Sequence, residues 1–370
     1  MVGLSTSALT AQAVELVCPV TSTRNLSGDV TNSALCNVSP GVLLVTSQSL
    51  SNLSGGTLNN SGSLLVTSGT LNNLTGGTLN NFSQLELISA TLNNTGVLMN
   101  SGLLTGGPAA TIHNQASGTL NNMAGATLDN NKNLINAGTV NNFGRVAIWA
   151  NAAGSLTNTG TFNNYSGATL VGFGAINNSG VVNNAGGMSL VSGGSVNGGS
   201  GITVTNASGH TQANAGTLTA LGVFHNAGTF NNTGAITTQS GATHGQLKNS
   251  GVLNNNAGTL ALSTGSGYDF TGGILNNTGT FQLQRAFALG TPAAGTVNLN
   301  AGGSLNNYAA LSNVAGHTQA NAGTLTNFSG STFINAGRLQ NTGTVTLAAG
   351  SNFDFTGGTF NNAGTLNLQR

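Results

Sequence analysis

Apolar and polar residues alternate along most of this chain in short segments separated by glycine-rich turns. The phrase Thr-Leu-Asn-Asn occupies residues 57–60 and returns at 78–81, and a second copy at 70–73 returns at 91–94. Alternation with a period of two is typical of β-strands, whose side chains point to opposite faces in turn. Each phrase is therefore predicted to be a strand with its Leu on one face and its Thr on the other.

These segments recur with a period of about 21 residues, and three of them fit into each period. A repeat of this length, divided into three strands, predicts an all-β fold, a parallel β-helix (β-solenoid) with three short strands per turn. Residues 41–370 would supply about 16 turns, each rising about 4.8 Å along the axis. Helix is excluded by the density of Gly and Asn and by the lack of a stripe at 3.6-residue spacing.

The middle residue of each phrase is predicted to line the interior, because its neighbours in the strand point outward. Buried Leu and Phe side chains contribute roughly 1.5–3 kcal/mol each, so this narrow core is stable only when turns stack. The predicted core residues are Leu58, Leu71, Leu79, Leu92, Leu120, Phe162, Phe230, Leu253, Leu275 and Phe360.

The second Asn of each phrase is predicted to be structural. It precedes a Gly or Ser where the chain turns, and Asn tolerates the left-handed conformation. Stacked copies would pass amide hydrogen bonds along the axis as a ladder. We expect Asn60 and Asn81, and likewise Asn73 and Asn94, to be ladder residues.

A longer duplication indicates that whole turns have been copied. Residues 209–219 are identical to residues 316–326, and residues 269–273 return as 354–358. The two shifts differ by about one period. Gain or loss of a whole turn is tolerated where each turn contacts only its neighbours, as in a solenoid.

The first 13 residues end in Ala11-Gln12-Ala13, which has the small-residue form of a secretory cleavage site. Residues 1–13 are therefore predicted to be part of a signal peptide, and a free N-terminal tail is the alternative. Export would place the mature chain outside the cytoplasm.

Residues 14–40 lack the repeated phrase and contain both cysteines of the chain, Cys18 and Cys36. In an exported chain, two nearby cysteines predict one disulfide, which by loop entropy contributes about 3 kcal/mol. We expect residues 14–40 to form an N-terminal cap on the repeat domain of residues 41–370, or a donor segment that inserts into a neighbouring copy.

Composition excludes several partners. The 370 residues include 7 Lys or Arg and 6 Asp or Glu, a net charge of +1, and they contain no basic run. Neither nucleic acid nor an anionic membrane surface is therefore an expected partner. Apolar stretches of four or five residues are far shorter than the roughly 20 that a membrane-spanning helix needs.

No catalytic, cofactor-binding or metal site is predicted. Asp269 and Asp354 are repeat copies in distant turns, and each precedes an Arg by 16 residues, which indicates an ion pair or a solvated charge. The remaining acids are spread along the chain, and the histidines lack ligand spacing. The acids are Glu15, Asp29, Glu86, Asp129, Asp269 and Asp354, and the histidines are His113, His210, His225, His244 and His317. Glycine pairs at 193–194 and 198–199 resemble phosphate loops in composition alone. We expect a chain without enzymatic activity or cofactor.

The Gly-Thr-Leu-Asn-Asn-x-Gly phrases of residues 41–370 resemble the repeat regions of exported bacterial surface proteins, the filamentous haemagglutinin-like and autotransporter-type β-solenoid adhesins. The resemblance implies an elongated extracellular rod at the bacterial cell surface. It also implies a role in adhesion, biofilm matrix or fibre formation, with cell-surface or matrix components as partners.

The last residues favour self-assembly. Residues 359–370 match the internal segment 274–285 almost position for position, and edge-blocking lysines are missing. An open strand edge accepts another strand, so we expect copies to stack head to tail as a homopolymer. A chain cut at a repeat boundary from a longer protein is the competing explanation.

Two other functions are kept as alternatives. Thr-x-Thr triplets at 203–205, 217–219 and 344–346 resemble the rows with which flat solenoids order water, which would make this an ice-binding protein. A carbohydrate-active β-helix enzyme is the second alternative, and it would require clustered carboxylates.

Overall fold

The strands stack into an all-β parallel β-solenoid, as the repeat predicts. Three strands follow one another in each turn, and each pairs in parallel with strands one turn below and one turn above. No described helix is long and apolar enough to cross a membrane. The computed structural model describes residues 13–149, 154–172, 175–178, 180–190, 203–206, 211–215, 217–220, 223–238, 245–355 and 357–369.

The strands belong to three long faces and one short one. Sheet A contains β1 (Val14–Glu15), β3 (Val30–Asn32), β6 (Leu50–Asn52), β9 (Thr70–Asn73), β12 (Thr91–Asn94), β15 (Thr111–Asn114), β18 (Asn133–Asn136), β21 (Ser155–Asn158), β24 (Ala175–Asn178), β27 (Thr203–Asn206), β30 (Val223–Asn226), β33 (Gln246–Asn249) and β36 (Gly267–Asp269). Sheet B contains β4 (Leu35–Val38), β7 (Thr57–Asn60), β10 (Thr78–Asn81), β13 (Val97–Asn100), β16 (Thr119–Asn122), β19 (Thr139–Asn142), β22 (Thr161–Asn164), β25 (Val181–Asn184), β28 (Thr211–Asn214), β31 (Thr229–Asn232), β34 (Val252–Asn255), β37 (Ile274–Asn277), β40 (Thr296–Leu299), β43 (Thr318–Asn321), β46 (Arg338–Asn341) and β49 (Thr359–Asn362).

Sheet C runs along the whole described chain, and sheet D follows sheet A near the C-terminal end. Sheet C contains β2 (Arg24–Leu26), β5 (Leu43–Thr46), β8 (Ser63–Val66), β11 (Gln84–Leu87), β14 (Leu103–Gly106), β17 (Thr127–Asn130), β20 (Arg145–Ile148), β23 (Thr169–Gly172), β26 (Gly187–Leu190), β29 (Thr217–Ala220), β32 (Ala235–Thr238), β35 (Thr259–Leu262), β38 (Thr280–Leu283), β41 (Ser304–Asn307), β44 (Thr324–Asn327), β47 (Thr344–Leu347) and β50 (Thr365–Leu368). Sheet D contains β39 (Phe287–Leu289), β42 (Ala310–Asn313), β45 (Thr332–Asn335) and β48 (Asn352–Asp354), and a single 3₁₀ turn spans Pro292–Ala294.

The number of turns can be counted along the long sheets. Sheet B contains 16 strands and sheet C contains 17, one from each turn. Some connections exceed the period: Asn184 and Asn214, which are neighbours in adjacent turns of sheet B, lie 30 residues apart along the chain. The repeat therefore sets the period of most turns but not of all.

Equivalent residues of the phrase lie directly above one another. Leu58 is in register with Leu79, and Asn60 is in register with Asn81. Strand after strand shows the same alternation of half-exposed and buried positions. The interior is thus a continuous column of apolar side chains, with buried asparagines at the strand ends.

Of the ten predicted core residues, the nine from Leu58 to Leu275 have no exposed surface. Phe360 is only half-buried, although it packs against the core. Its strand, β49, lies in the last described turn, so no described turn covers its upper side.

Residues 14–40 add strands to the same sheets. β3 pairs with β6, and β4 pairs with β7, in the register that the later turns keep. This segment lacks the Asn phrase but preserves the alternation, with Val30, Cys36 and Val38 pointing inward. The boundary that we expected at residue 41 therefore does not coincide with a boundary of the sheets.

The structure joins Cys18 and Cys36 in a disulfide, with a Cα–Cα distance of 5.1 Å. Cys36 is fully buried in β4, and Cys18 lies below it beside the core. The bridge holds the first turn closed. Residues 1–12 of the predicted signal peptide lie outside the described residues.

Candidate functional site

A buried row of asparagine amides runs along sheet B. Asn60 donates through Nδ2 to Asn81 Oδ1 at 2.8 Å, and Asn81 donates in the same way to Asn100 at 2.8 Å. The links continue turn by turn as far as Asn277. At the next strand the row meets Leu299, whose apolar side chain interrupts it.

A second row occupies the same strand position in sheet A. There Asn73 donates to Asn94 Oδ1 at 2.7 Å, within a series that runs from Asn32 to Asn158. The four predicted ladder residues thus lie in two different rows, in the pairs that the repeat indicated.

The ladder asparagines end their strands in an extended conformation, and the expectation of a left-handed Asn is wrong. Among the described residues, Ala257 is the one non-glycine residue with a positive φ. The turns are made by the residues that follow, such as Gly55 with φ of 80°. An extended backbone at Asn is needed because it aims the amide inward, under the amide of the next turn.

Sheet B also carries a polar row on its outer surface. Asn141 donates to Asn121 Oδ1 at 2.9 Å, and Asn163 donates to Asn141 Oδ1 at 2.9 Å, so these bonds run opposite to the inner row. Half-exposed threonines, including Thr139 and Thr161, lie two residues earlier in several strands. In other strands Val97, Val181 and Ile274 hold this position, and Arg338 holds it in β46. The outer face therefore presents hydroxyl and amide groups interspersed with apolar side chains.

Charged side chains meet in pairs between adjacent turns, and Lys248 is in register with Asp269. Asp129 pairs with Arg145 in the next turn of sheet C. Asp269 accepts from the hydroxyl and the main-chain N–H of Thr271 at 2.6 and 3.1 Å, and these bonds lower the pKa of Asp269. Arg285 lies over the ring of Tyr268 at 4.9 Å. The sequence left two alternatives for Asp269, an ion pair with Arg285 or a solvated charge. The ion pair with Arg285 is not formed.

The other sites considered from the sequence are dispersed. Across the described part of the chain, no three His, Cys, Asp or Glu side chains come close enough to hold a metal ion. The triplets 217–219 and 344–346 lie on separate strands of sheet C, and 203–205 lies on sheet A, so they form no common row. His210, His244 and the glycine pairs at 193–194 and 198–199 fall outside the described residues.

A cleft of about 590 Å³ opens on sheet B between β40 and β43. These neighbouring strands are in register at one residue pair, Leu299 with Asn321, whereas the other neighbours in this sheet are in register at three or four. Hydroxyl and amide groups line the cleft, among them Thr296, Thr318 and Gln319. Sequence reasoning missed this site. Its signals were the Thr-Pro-Ala-Ala-Gly interruption at 291–295 and a glutamine at a core position.

The sequence matches no family model and no curated protein. Among solved structures, the chain is similar to a TibC-catalysed hyper-glycosylated fragment of TibA. The sequence identity is 17%, the match covers 91% of this chain and 98% of that chain, and the TM-score is 0.24. A likeness of this degree carries no functional argument.

Proposed function

We propose that the protein is a non-enzymatic structural rod of the bacterial cell surface, whose copies stack head to tail into a fibre or adhesive layer. The observation that carries the proposal is the continuous stack of turns, in which strands pair in parallel and in register with the turn below and the turn above. A parallel sheet adds strands at its edge, so turns of one copy can continue the stack of another.

The inward side chains of the turns suit the same role. Val345 in β47 is fully buried beneath the next turn, where Leu366 is in register with it. A turn of another copy placed above a turn would bury its inward side chains in the same way, which favours axial contact.

The ladder of sheet B offers a further point of continuity. Its amides donate from one turn to the next, as Asn341 Nδ2 does to Asn362 Oδ1 at 2.6 Å. A turn of another copy that carries Asn at this position could extend such a row. The low content of charged residues, 4%, also leaves little repulsion between copies.

Extracellular location and lack of catalysis are parts of the same proposal. A disulfide such as Cys18–Cys36 persists in oxidising compartments, which supports export. Dispersed carboxylates support a structural role, because glycoside hydrolysis needs two carboxyl groups within about 10 Å of each other. The outer face of sheet B, with its rows of asparagine amides and threonine hydroxyls, is the surface that we assign to adhesion to cell-surface or matrix components.

Sedimentation velocity on three forms of the full chain tests the stacking. Leu366→Lys places a charge on the inner side of β50, whereas Asn367→Lys places the same charge on the outer side of the same strand. We expect polymers that grow with concentration for the wild type and for Asn367→Lys, and single copies for Leu366→Lys. Three forms that sediment alike, or a wild type that stays single at high concentration, would overturn the proposal.

Ice binding is the second candidate, and the observation that favours it is the outer face of sheet B. Its rows of threonine hydroxyls and asparagine amides repeat at the spacing of parallel strands, about 4.8 Å. A thermal-hysteresis measurement separates the candidates. We expect no hysteresis; a clear freezing-point gap, lost in Thr139→Lys, would assign the face to ice instead.

A further inference from the structure

We infer that the cleft between β40 and β43 binds a short, uncharged peptide in an extended conformation, as an added strand of sheet B. This inference goes beyond the stacking proposed above, because the cleft lies on a lateral face of the solenoid and not at an end.

The first argument is the loss of register. β40 is in register with the strand below it over four residues, and β43 with the strand above it over four, but the two share only the Leu299–Asn321 pair. The first three residues of each strand therefore border the cleft. In a parallel ladder, the N–H and C=O groups of such residues point toward the neighbouring strand, and an additional strand can take up those that are not already bonded across the cleft.

The second argument comes from the internal duplication. β28 has the same sequence as β43, Thr-Gln-Ala-Asn, yet β28 is in register with the strand below it over three residues. The opening therefore originates below β43. There the 3₁₀ turn at Pro292–Ala294 precedes β40, flanked by Gly290 and Gly295 at positive φ. Only one of the two copies meets this irregular turn.

The third argument is a buried glutamine. Gln319 is 4% exposed and occupies an inward position, in register with the buried Leu339 one turn above. Its Nε2 donates to Val297 O across the cleft at 3.2 Å and to Ala320 O at 2.8 Å. A buried carbonyl without a partner is costly, so this amide keeps Val297 satisfied while the two strands stay apart.

The character of the cleft indicates an uncharged ligand. His317 Nδ1 lies 2.6 Å from Asn313 Oδ1, and an amide oxygen only accepts, so Nδ1 carries a hydrogen. Burial lowers the pKa of His317, which leaves the ring neutral and its Nε2 an acceptor at pH 7. With this ring neutral, none of the residues lining the cleft carries a formal charge.

The bordering strands also define the side chains of the peptide. In the strands that border the cleft, Thr296 and Thr318 point outward at the first position. Val297 points inward at the second position, and Asn298 points outward at the third. A strand that continues these rows has Thr first, an apolar residue second and Asn third. This is the Thr-Leu-Asn phrase of the chain itself, so the fitting partner is a segment of an exported repeat protein of this type.

Fluorescence anisotropy with labelled acetyl-Gly-Thr-Leu-Asn-Asn-Ala-Gly-amide tests the inference on the full chain. The key variant is Gln319→Leu, which replaces the bridging amide by an apolar side chain that suits the core and lets the strands close. The matched control is Gln212→Leu in the identical segment, where β28 is in register with the strand below it over three residues. We expect saturable binding to the wild type and to Gln212→Leu, and binding at least about tenfold weaker to Gln319→Leu.

Three results would overturn the inference: no saturable binding, equal binding to all three forms, or displacement of the peptide by cellohexaose, which would assign the cleft to a glycan. Equal binding would place the peptide at the solenoid ends, which both variants leave unchanged. A peptide in which Pro replaces the Leu loses one main-chain donor and should bind more weakly to the wild type. Thermal unfolding of Gln319→Leu near the wild-type temperature verifies that this variant is folded.

Discussion

Asn142 donates through Nδ2 to Asn164 Oδ1 at 2.7 Å, although the two residues are 22 positions apart along the chain. The same amide group donates to Thr169 O at 3.0 Å and accepts from Asn122 Nδ2 at 2.8 Å. One buried side chain thus connects its own turn to the turns below and above. Because each link repeats along the sheet, the ladder contributes to holding the register of the whole stack.

Replacement of a ladder residue by its acid should therefore be costly. In Asn142→Asp, the ionised carboxylate keeps the donors Asn122 Nδ2 and Gly144 N but cannot donate to the oxygens of Asn164 and Thr169. Its buried charge then faces these two acceptor oxygens. We expect the free energy of unfolding to fall by roughly 3–5 kcal/mol near pH 7. Asn141→Asp, one residue away on the outer face, should cost about 1 kcal/mol or less. Urea denaturation of both variants measures the two losses in free energy of unfolding. Equal losses would contradict the inference that the inner ladder contributes more to stability than the outer row.

The loss in Asn142→Asp should also depend on pH. Burial raises the pKa of the introduced carboxyl in the folded state above its unfolded value. Below the unfolded value both states are protonated and the charge penalty is absent; above it, ionisation favours the unfolded state increasingly. Denaturation midpoints that stay constant between pH 3 and pH 7, relative to the wild type, would show that the group is not buried.

Substitution by alanine should destabilise the protein to different degrees at two kinds of glycine position. A Cβ on Gly160 would lie 2.1 Å from the main-chain oxygen of Gly138 in the turn below, so the two turns must separate. Gly125 has φ of 80° but no atom within 4 Å of its Cβ position, so Gly125→Ala should cost only the left-handed strain, about 1–2 kcal/mol. We expect Gly160→Ala to be the more destabilising change in thermal unfolding. The reverse order would mean that turn spacing is not limited by these contacts.

The first turn should loosen in acid. Glu15 accepts from Ser33 N at 2.7 Å and from the hydroxyl groups of Ser33 and Thr31 at 2.9 Å, and these bonds, the main-chain one first, lower its pKa. A lowered folded pKa means that the stabilisation is present above the unfolded value, about 4.3, and is lost as pH falls through the folded value.

Amide hydrogen exchange, corrected for intrinsic rates, measures this effect at residues 14–16. We expect protection there to decline in acid in the wild type and to be low at every pH in Glu15→Gln, while strands near Leu120 stay protected in both. Protection of the first turn that is equal in the two forms would show that the carboxylate does not hold it.

The fold could be predicted because the period decides which residues become neighbours. Once Leu58 and Leu79 are one period apart, stacking, register and burial follow from alternation along the strand. The segment before residue 41 was harder to interpret, since Val30-Thr31-Asn32 keeps the alternation without the phrase. The prediction that the ladder asparagines adopt the left-handed conformation was wrong, because burial of the amide requires an extended backbone.

The cleft could not be predicted for a different reason. Residues 211–214 and 318–321 are identical, yet one segment is in register with the strand below it over three residues and the other borders an opening. The difference lies in the strand beneath, whose approach is altered by the turn around Pro292. The local sequence specifies a strand, but the pairing of strands in two consecutive turns depends on the sequences of both turns.

Electron cryomicroscopy of the purified chain over a concentration series tests the central claim, that solenoid turns continue from one copy to the next, most directly. We predict filaments one solenoid wide, with a repeat of about 4.8 Å along the axis that runs unbroken across each junction between copies. Filaments built by side-by-side contact, or separate rods of a single length at every concentration, would contradict the account.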